Sequence, residues 1–169
     1  MPGVTQPLRD EHKDLLPHIE EIRTVADEIG DVPVETLRQH MDRVYEFLAH
    51  HLIAHAQAED KALYPVVAKV MGSPEATATM RRDHVEIGRL IEELASLRAQ
   101  LPGQVPDQAL IKGLRRVLYG LYTLVKVHFV KEEEVYLPLL DARLAPADAY
   151  RMFEDMEAAA GEARARLNA

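Results

Sequence analysis

Two stretches of the chain decide its fold, His55-Ala56-Gln57-Ala58-Glu59 and His128-Phe129-Val130-Lys131-Glu132. In each of them a His precedes a Glu by four residues, a spacing that puts both side chains on one side of a helix, a turn apart. Apolar residues continue that side in steps of three and four, which is typical of a helix packed in a bundle. The predicted inward stripes are Leu37, Met41, Val44, Leu48, His51, His55, Glu59 and Leu63 in one helix, and Leu114, Leu118, Leu121, Val125, His128, Glu132, Val135 and Leu139 in the other.

The two stretches belong to an internal repeat. Each Glu is followed six residues later by a Pro, at Pro65 and Pro138. Another His lies upstream of each stretch, directly after an acidic residue, at His12 and His84. A nearly constant shift along the chain places His12 on His84, and the two His-to-Glu stretches on each other. Two helix pairs with the same polar residues are therefore predicted to face each other across a pseudo-two-fold axis.

Helical periodicity covers the whole chain, and Gly and Pro concentrate in the breaks. The breaks leave five segments, at about 6–30, 34–71, 74–101, 107–141 and 147–167, and no run alternates with the period of two that a strand would show. The prediction is an all-α fold, an up-down-up-down four-helix bundle with an additional C-terminal helix. A single domain is expected over 1–169, with the bundle at about 6–141 and the C-terminal helix at about 147–167.

Composition excludes several classes of function. The chain has 169 residues, enough for one compact core, and no Cys, which rules out disulfides, thiolate metal sites and thiol catalysis. A formal net charge of −8 argues against non-specific nucleic-acid binding. There is neither an apolar run long enough for a membrane span nor a signal-like start. The expectation is a cytoplasmic protein, monomeric or weakly homo-oligomeric, without nucleic-acid or membrane partners.

The polar residues on the inward stripes indicate metal binding. Two carboxylates and four imidazoles in one core would be very unfavourable without neutralisation, and metal ions provide it. Imidazole with carboxylate suits iron, manganese or zinc, and six ligands are too many for one tetrahedral zinc. The set fits two metal ions, each with two imidazoles, bridged by Glu59 and Glu132. Each His taken alone could instead be a core histidine bonded to a backbone carbonyl.

The matched set His12, His55-x-x-x-Glu59, His84 and His128-x-x-x-Glu132 resembles the hemerythrin-like, or HHE cation-binding, family. The resemblance covers roughly residues 8 to 140 and includes the closing pairs Tyr64-Pro65 and Leu137-Pro138. It implies two non-haem iron ions, oxo- or hydroxo-bridged, that meet dioxygen, peroxide or nitric oxide. His12 and His55 would bind one iron, and His84 and His128 the other.

The third helix departs from the pattern of oxygen-carrying hemerythrins, which have a second His four residues after the first. Gly88 stands at this position after His84. A mid-helix Gly destabilises by about 1 kcal/mol relative to Ala, so it is expected to be there for space. One iron then has an open position or a ligand from elsewhere. Because the second and third helices should be antiparallel, His51 would lie level with Gly88 and could supply or neighbour the missing ligand. Tyr45 and Tyr122 are further candidates for that ligand.

Several acidic residues lie next to the predicted ligands. Glu133 and Glu134 follow Glu132 and are expected to face solvent, as charge runs usually do. Glu11 and Asp83 each precede a His, and they could orient the ring. Helix capping or solvent exposure is the competing interpretation, and it is the one favoured by sequence alone.

Three functions fit such a site. About two imidazoles per iron leave open positions, which favours an enzyme that decomposes peroxide or carries out related dioxygen or nitric oxide chemistry. The first alternative is a module that reversibly binds or senses dioxygen, nitric oxide or iron. The second alternative, iron storage or delivery, ranks last because the chain lacks the Cys-containing segment of some relatives. The partner is in each case a small molecule, and the native metal could be iron or manganese.

Overall fold

The computed structural model of the chain describes residues 3–101 and 105–169, and these residues form helices without any strand. The prediction of an all-α fold is confirmed. A short 3₁₀ turn, Pro74–Thr77, precedes the third helix, so that helix begins slightly later than expected. The five helices are α1 (Gln6–Glu28), α2 (34–71), α3 (Ala78–Arg98), α4 (108–143) and α5 (Pro146–Leu167).

Helices α1 to α4 surround one core, with α1 and α3 each packed against both α2 and α4. Consecutive helices are neighbours, as an up-down-up-down bundle requires. Helix α5 lies outside this ring and packs along α2, where Met152, Met156 and Ala160 are buried. Tyr150 of α5 is exposed, so only part of the expected packing face is used. None of the helices in the described residues has the length and apolarity of a membrane span.

The core consists of two apolar clusters with a polar layer between them. The larger cluster fills the end of the bundle that contains Ile22, Leu94 and Leu118. The smaller cluster, with Leu8, Met80 and Leu140, fills the other end and includes the buried face of α5. On every bundle helix the predicted ligand residues stand between a segment of one cluster and a segment of the other. The fold therefore encloses the polar residues at mid-bundle.

Helices α2 and α4 each contain a π-helical turn at the same place in the repeat, Glu59–Leu63 and Glu132–Tyr136. Both turns begin at the Glu of the motif and end before Pro65 or Pro138. A helical Pro lacks an N–H, and its ring would collide with the carbonyl four residues earlier. A wider turn relieves that collision while the helix continues, and π turns are frequent at functional sites. The Pro residues thus explain the two turns.

Each π turn contains an extra residue and shifts the inward stripe by one position. After Glu132 the stripe continues through Tyr136 and Leu140, which are buried, whereas Val135 is 54% exposed and Leu139 half-buried. A third π turn, Phe47–Leu52, has the same effect in α2. The prediction that Val135 and Leu139 point inward was wrong, because regular steps of three and four do not include the added residue.

The larger apolar cluster should set the stability of the bundle. Leu121 is fully buried in it, so Leu121→Ala is expected to lower the free energy of unfolding by about 2–5 kcal/mol. Leu16→Ala removes the same atoms from a side chain that is 38% exposed. This control should change the free energy of unfolding by less than about 0.5 kcal/mol. Urea unfolding followed by circular dichroism measures both. Equal effects of the two substitutions would contradict this packing.

Candidate metal centre

The polar layer at mid-bundle contains all six predicted ligands. They are buried and come from all four bundle helices, α1 and α3 with one His each, and α2 and α4 with one His and one Glu each. Their exposed fractions are 2% for His12, 4% for His55, 8% for His84, 1% for His128, and 0% for both Glu59 and Glu132. The fold therefore brings together residues that are distant in the sequence, from His12 in the first helix to Glu132 in the fourth.

The ligand atoms form two groups that share Glu59. His12, His55 and Glu59 form one group, and Glu59, His84 and His128 form the other, with their ligand atoms within 4.8 Å of one another. The two carboxylate oxygens of Glu59 face opposite groups, Oε1 at 2.9 Å from Nε2 of His55 and Oε2 at 3.2 Å from Nε2 of His84. Glu59 is therefore placed where it could bridge two ions.

Glu132 spans the same two groups from the opposite helix. Its Oε1 lies 3.4 Å from Nε2 of His128, and its Oε2 lies 3.4 Å from Nε2 of His12. Both carboxylates of the repeat thus stand between an imidazole of one group and an imidazole of the other. This arrangement has the pseudo-two-fold symmetry that the repeat predicts.

Unpaired polar atoms indicate that this donor set suits a cation. Among the described residues, five buried atoms of the polar layer have no hydrogen-bond partner. They are Nε2 of His12, Nε2 of His55, both oxygens of Glu59 and Oε2 of Glu132. A buried polar atom without a partner costs about 1–3 kcal/mol. All five are electron-pair donors directed into the cluster, and imidazole with carboxylate suits iron, manganese or zinc. The residues present therefore fit bound metal.

A carboxylate lies at Nδ1 of every one of the four imidazoles. An Nδ1–H that donates to a carboxylate leaves the lone pair of the ring on Nε2, and it also fixes the orientation of the ring. Here that lone pair points into the cluster. The four pairs are His12 with Glu133 at 2.8 Å, His55 with Glu11 at 2.9 Å, His84 with Asp60 at 3.0 Å and His128 with Asp83 at 3.0 Å.

These four carboxylates follow the repeat. The shift that places His12 on His84 also places Glu11 on Asp83, and Asp60 corresponds in the same way to Glu133. The expectation that Glu133 only faces solvent was wrong, and Glu11 and Asp83 contact imidazoles rather than serving only as caps or exposed charges. Asp60 was missed. A signal existed, because an acidic residue stands directly after the Glu of both motifs.

Electrostatics raise the pKa of all four imidazoles when no metal is bound. Burial lowers the pKa of His128, but the nearby carboxylates of Glu132 and Glu59 outweigh burial and raise the pKa to about 10. The pKa values of His12, His55 and His84 are also raised, because nearby carboxylates outweigh burial. For Glu59 burial raises the pKa, but the surrounding imidazoles lower it well below the usual range. A metal ion would therefore displace protons as it binds.

Tyr64 is a second residue of the centre that sequence reasoning missed. Its side chain is fully buried, and its hydroxyl lies 2.6 Å from Oε1 of Glu132, 3.1 Å from Nε2 of His128 and 3.4 Å from Nε2 of His84. The repeat has Leu137 at the equivalent position, so only one of the two groups has a phenol beside it. Burial and the two Glu carboxylates raise the pKa of Tyr64 far above its usual value, which keeps the metal-free phenol neutral.

Comparison with protein families agrees with this geometry. The family model of the hemerythrin HHE cation-binding domain matches residues 4–140. The chain belongs to this family. The match covers α1 to α3 and all but the last three residues of α4, and the domain is one that binds metal cations. Neither the curated proteins nor the solved structures that were compared contain a match to the chain.

The three residues expected to replace the ligand missing at Gly88 lie outside the metal centre of this hemerythrin domain. His51 is exposed and lines a surface groove, because the π turn Phe47–Leu52 rotates it outward and buries Leu52 instead. Tyr45 packs under Arg98, whose guanidinium carbon lies 4.1 Å from the ring centroid. Tyr122 hydrogen-bonds Glu20 at 3.3 Å. Tyr64 therefore lies beside His84, whereas His51, Tyr45 and Tyr122 do not.

The carboxylates behind the imidazoles should matter for metal affinity. Asp83→Asn removes the negative charge behind His128, and metal binding is expected to weaken by about 10- to 100-fold, as for other such partners of ligating imidazoles. Competition with a chromophoric chelator measures the affinity. Asp148→Asn is the matched control, because Asp148 also pairs with a basic side chain but is exposed on α5. Unchanged affinity in Asp83→Asn would contradict the assigned role.

Proposed function

We propose that this domain holds two iron ions and decomposes hydrogen peroxide. The observation that supports the proposal is the pair of ligand groups sharing Glu59. His12 and His55 would hold one ion, and His84 and His128 the other. Glu59 and Glu132 would bridge them, since each has its two oxygens directed at different groups.

We propose further that Tyr64 joins His84 and His128 as a ligand. Its oxygen lies 3.4 Å from Nε2 of His84 and 3.1 Å from Nε2 of His128, separations that suit donors bound to one ion. A bound cation favours the deprotonated form of an adjacent acid, which would reverse the effect of burial on this phenol. A phenolate is a hard oxygen donor and favours iron or manganese over softer metals. The two ions would then have different ligand sets.

Peroxide decomposition fits the chemistry of this pair. Two adjacent irons supply two one-electron couples, which together match the two electrons that peroxide gains or loses. Two molecules of hydrogen peroxide give two of water and one of dioxygen, so the reaction needs no other reductant. The chain contributes the buried position, which keeps bulk water out, and the carboxylates at Nδ1, which hold the rings in place. The hydrogen bond from Tyr64 to Glu132 belongs to the metal-free chain, and its proton would leave when the phenol binds an ion.

Oxygen release is the test of this activity. The iron-loaded protein should release dioxygen rapidly when peroxide is added, as followed with an oxygen electrode. Glu132→Gln should reduce the rate to that of the metal-free protein, because a bridging carboxylate is lost. Glu134→Gln is the matched control, since Glu134 lies in the same turn but is exposed.

Other results would favour the alternative functions. Iron-loaded protein that releases no dioxygen but gives a stable, reversible spectrum with dioxygen or nitric oxide would contradict the proposed activity and favour a binding or sensing module. Transfer of iron to an acceptor protein without peroxide turnover would favour storage or delivery.

Tyr64 is tested separately by spectroscopy. Tyr64→Phe should remove a phenolate-to-iron charge-transfer band from the visible spectrum while the protein still binds iron. Tyr136→Phe is the control, because Tyr136 is also buried, in the smaller apolar cluster, but its hydroxyl bonds the carbonyl of Ala76. Identical spectra of Tyr64→Phe and the unmodified protein would contradict ligation by Tyr64.

A further inference from the structure

Gly88 occupies the middle of α3, where Gly is unfavourable relative to Ala. No backbone requirement explains it, because the described glycines with positive φ are Gly30 and Gly72. No packing requirement explains it either, since a Cβ built at residue 88 meets no atom within 4 Å. The side chain is therefore absent from a place where there is room for one.

The free space beside Gly88 is a groove between α2 and α3. It has a volume of about 450 Å³, and its walls include His84, Ala56, Asp60 and Val85. His84 is also the most exposed of the six predicted ligands, at 8% against 4% or less for the others. The groove thus leads from solvent to an imidazole of the metal centre.

The internal repeat provides a comparison within the same molecule. At the positions that the repeat makes equivalent to Ala56 and Gly88, the other half has Phe129 and Leu16. Phe129 is buried and stacks on His12 with ring centroids 4.2 Å apart. Large side chains therefore replace small ones on the His12 side, and the groove opens over His84.

We propose that this groove is the entrance through which small oxidants reach the metal centre, and that Gly88 keeps it open. The inference rests on the proposed function, because it assumes bound iron. A smaller cavity of about 250 Å³ reaches His55 beneath α5 and is the competing route. The groove over Gly88 is favoured because its volume is larger and because two residues that line it, Ala56 and Gly88, are smaller than their equivalents in the repeat.

Azide association measures entry without requiring turnover. Iron-loaded Gly88→Leu and unmodified protein are mixed with azide, and the charge-transfer band is followed by stopped flow. The association rate constant should fall about tenfold in Gly88→Leu, because a blocked entrance acts on binding. For peroxide, kcat/KM should fall more than kcat. Gly161→Leu is the matched control, since Gly161 is also helical with no atom within 4 Å of an added Cβ, but it lies on the exposed face of α5.

Two further variants decide between the routes. Val85→Trp fills the groove from a residue that is 64% exposed, so it should slow azide without affecting folding. Unchanged azide rates in both Gly88→Leu and Val85→Trp would overturn the entrance and leave the iron site intact. Slower azide binding in Ala160→Leu alone would show that azide enters through the cavity beneath α5, and would also contradict an entrance at Gly88. Failure of the unmodified protein to bind iron would instead contradict the proposed function.

Discussion

The buried carboxylate of Glu59 is the group on which the rest of the structure depends. It is fully buried among four imidazoles, and neither of its oxygens has a hydrogen-bond partner among the described residues. Glu132 lies beside it, and four further carboxylates bond the outer nitrogens of the rings. Neutral imidazoles, the form that binds metal, leave the two inner carboxylates of Glu59 and Glu132 unbalanced. The remaining negative charge at the centre explains why the layer suits metal cations.

Charges at the edge of the layer support this arrangement. Arg9 pairs with Glu133, Lys131 with Asp83, and Arg81 lies 3.7 Å from Asp60. These three basic side chains neutralise outer carboxylates near the surface. Among the described residues, the two inner carboxylates, Glu59 and Glu132, pair with imidazoles and with no Lys or Arg. The fold therefore separates the outer carboxylates, which orient the rings, from the inner ones, which are free to bind ions.

The sequence predicts the helices and the buried polar layer because both depend on local spacing. A His and a Glu four residues apart lie on the same face of a helix. The internal repeat then identifies His12 and His84 as the further ligands that accompany the two motifs. The π turns escape such reasoning, because they add one residue without a change in composition, and this is why Val135 and His51 were misplaced. The outer carboxylates are ambiguous in sequence, since an acid near a helix end can also cap it. Tyr64 appeared only as part of the Tyr-Pro closing pair, and its contact with His84 and His128 depends on the packing of three helices.

Metal content tests most directly whether the layer binds two metal ions. Protein produced with ample iron would be assayed for metal per chain by mass spectrometry, with the visible absorption spectrum of the same sample. Two irons per chain, falling to one or none in Glu59→Gln, is the predicted result, because Glu59 contributes to both ligand groups. One metal or none in the unmodified protein, with its helical content intact, would contradict the account.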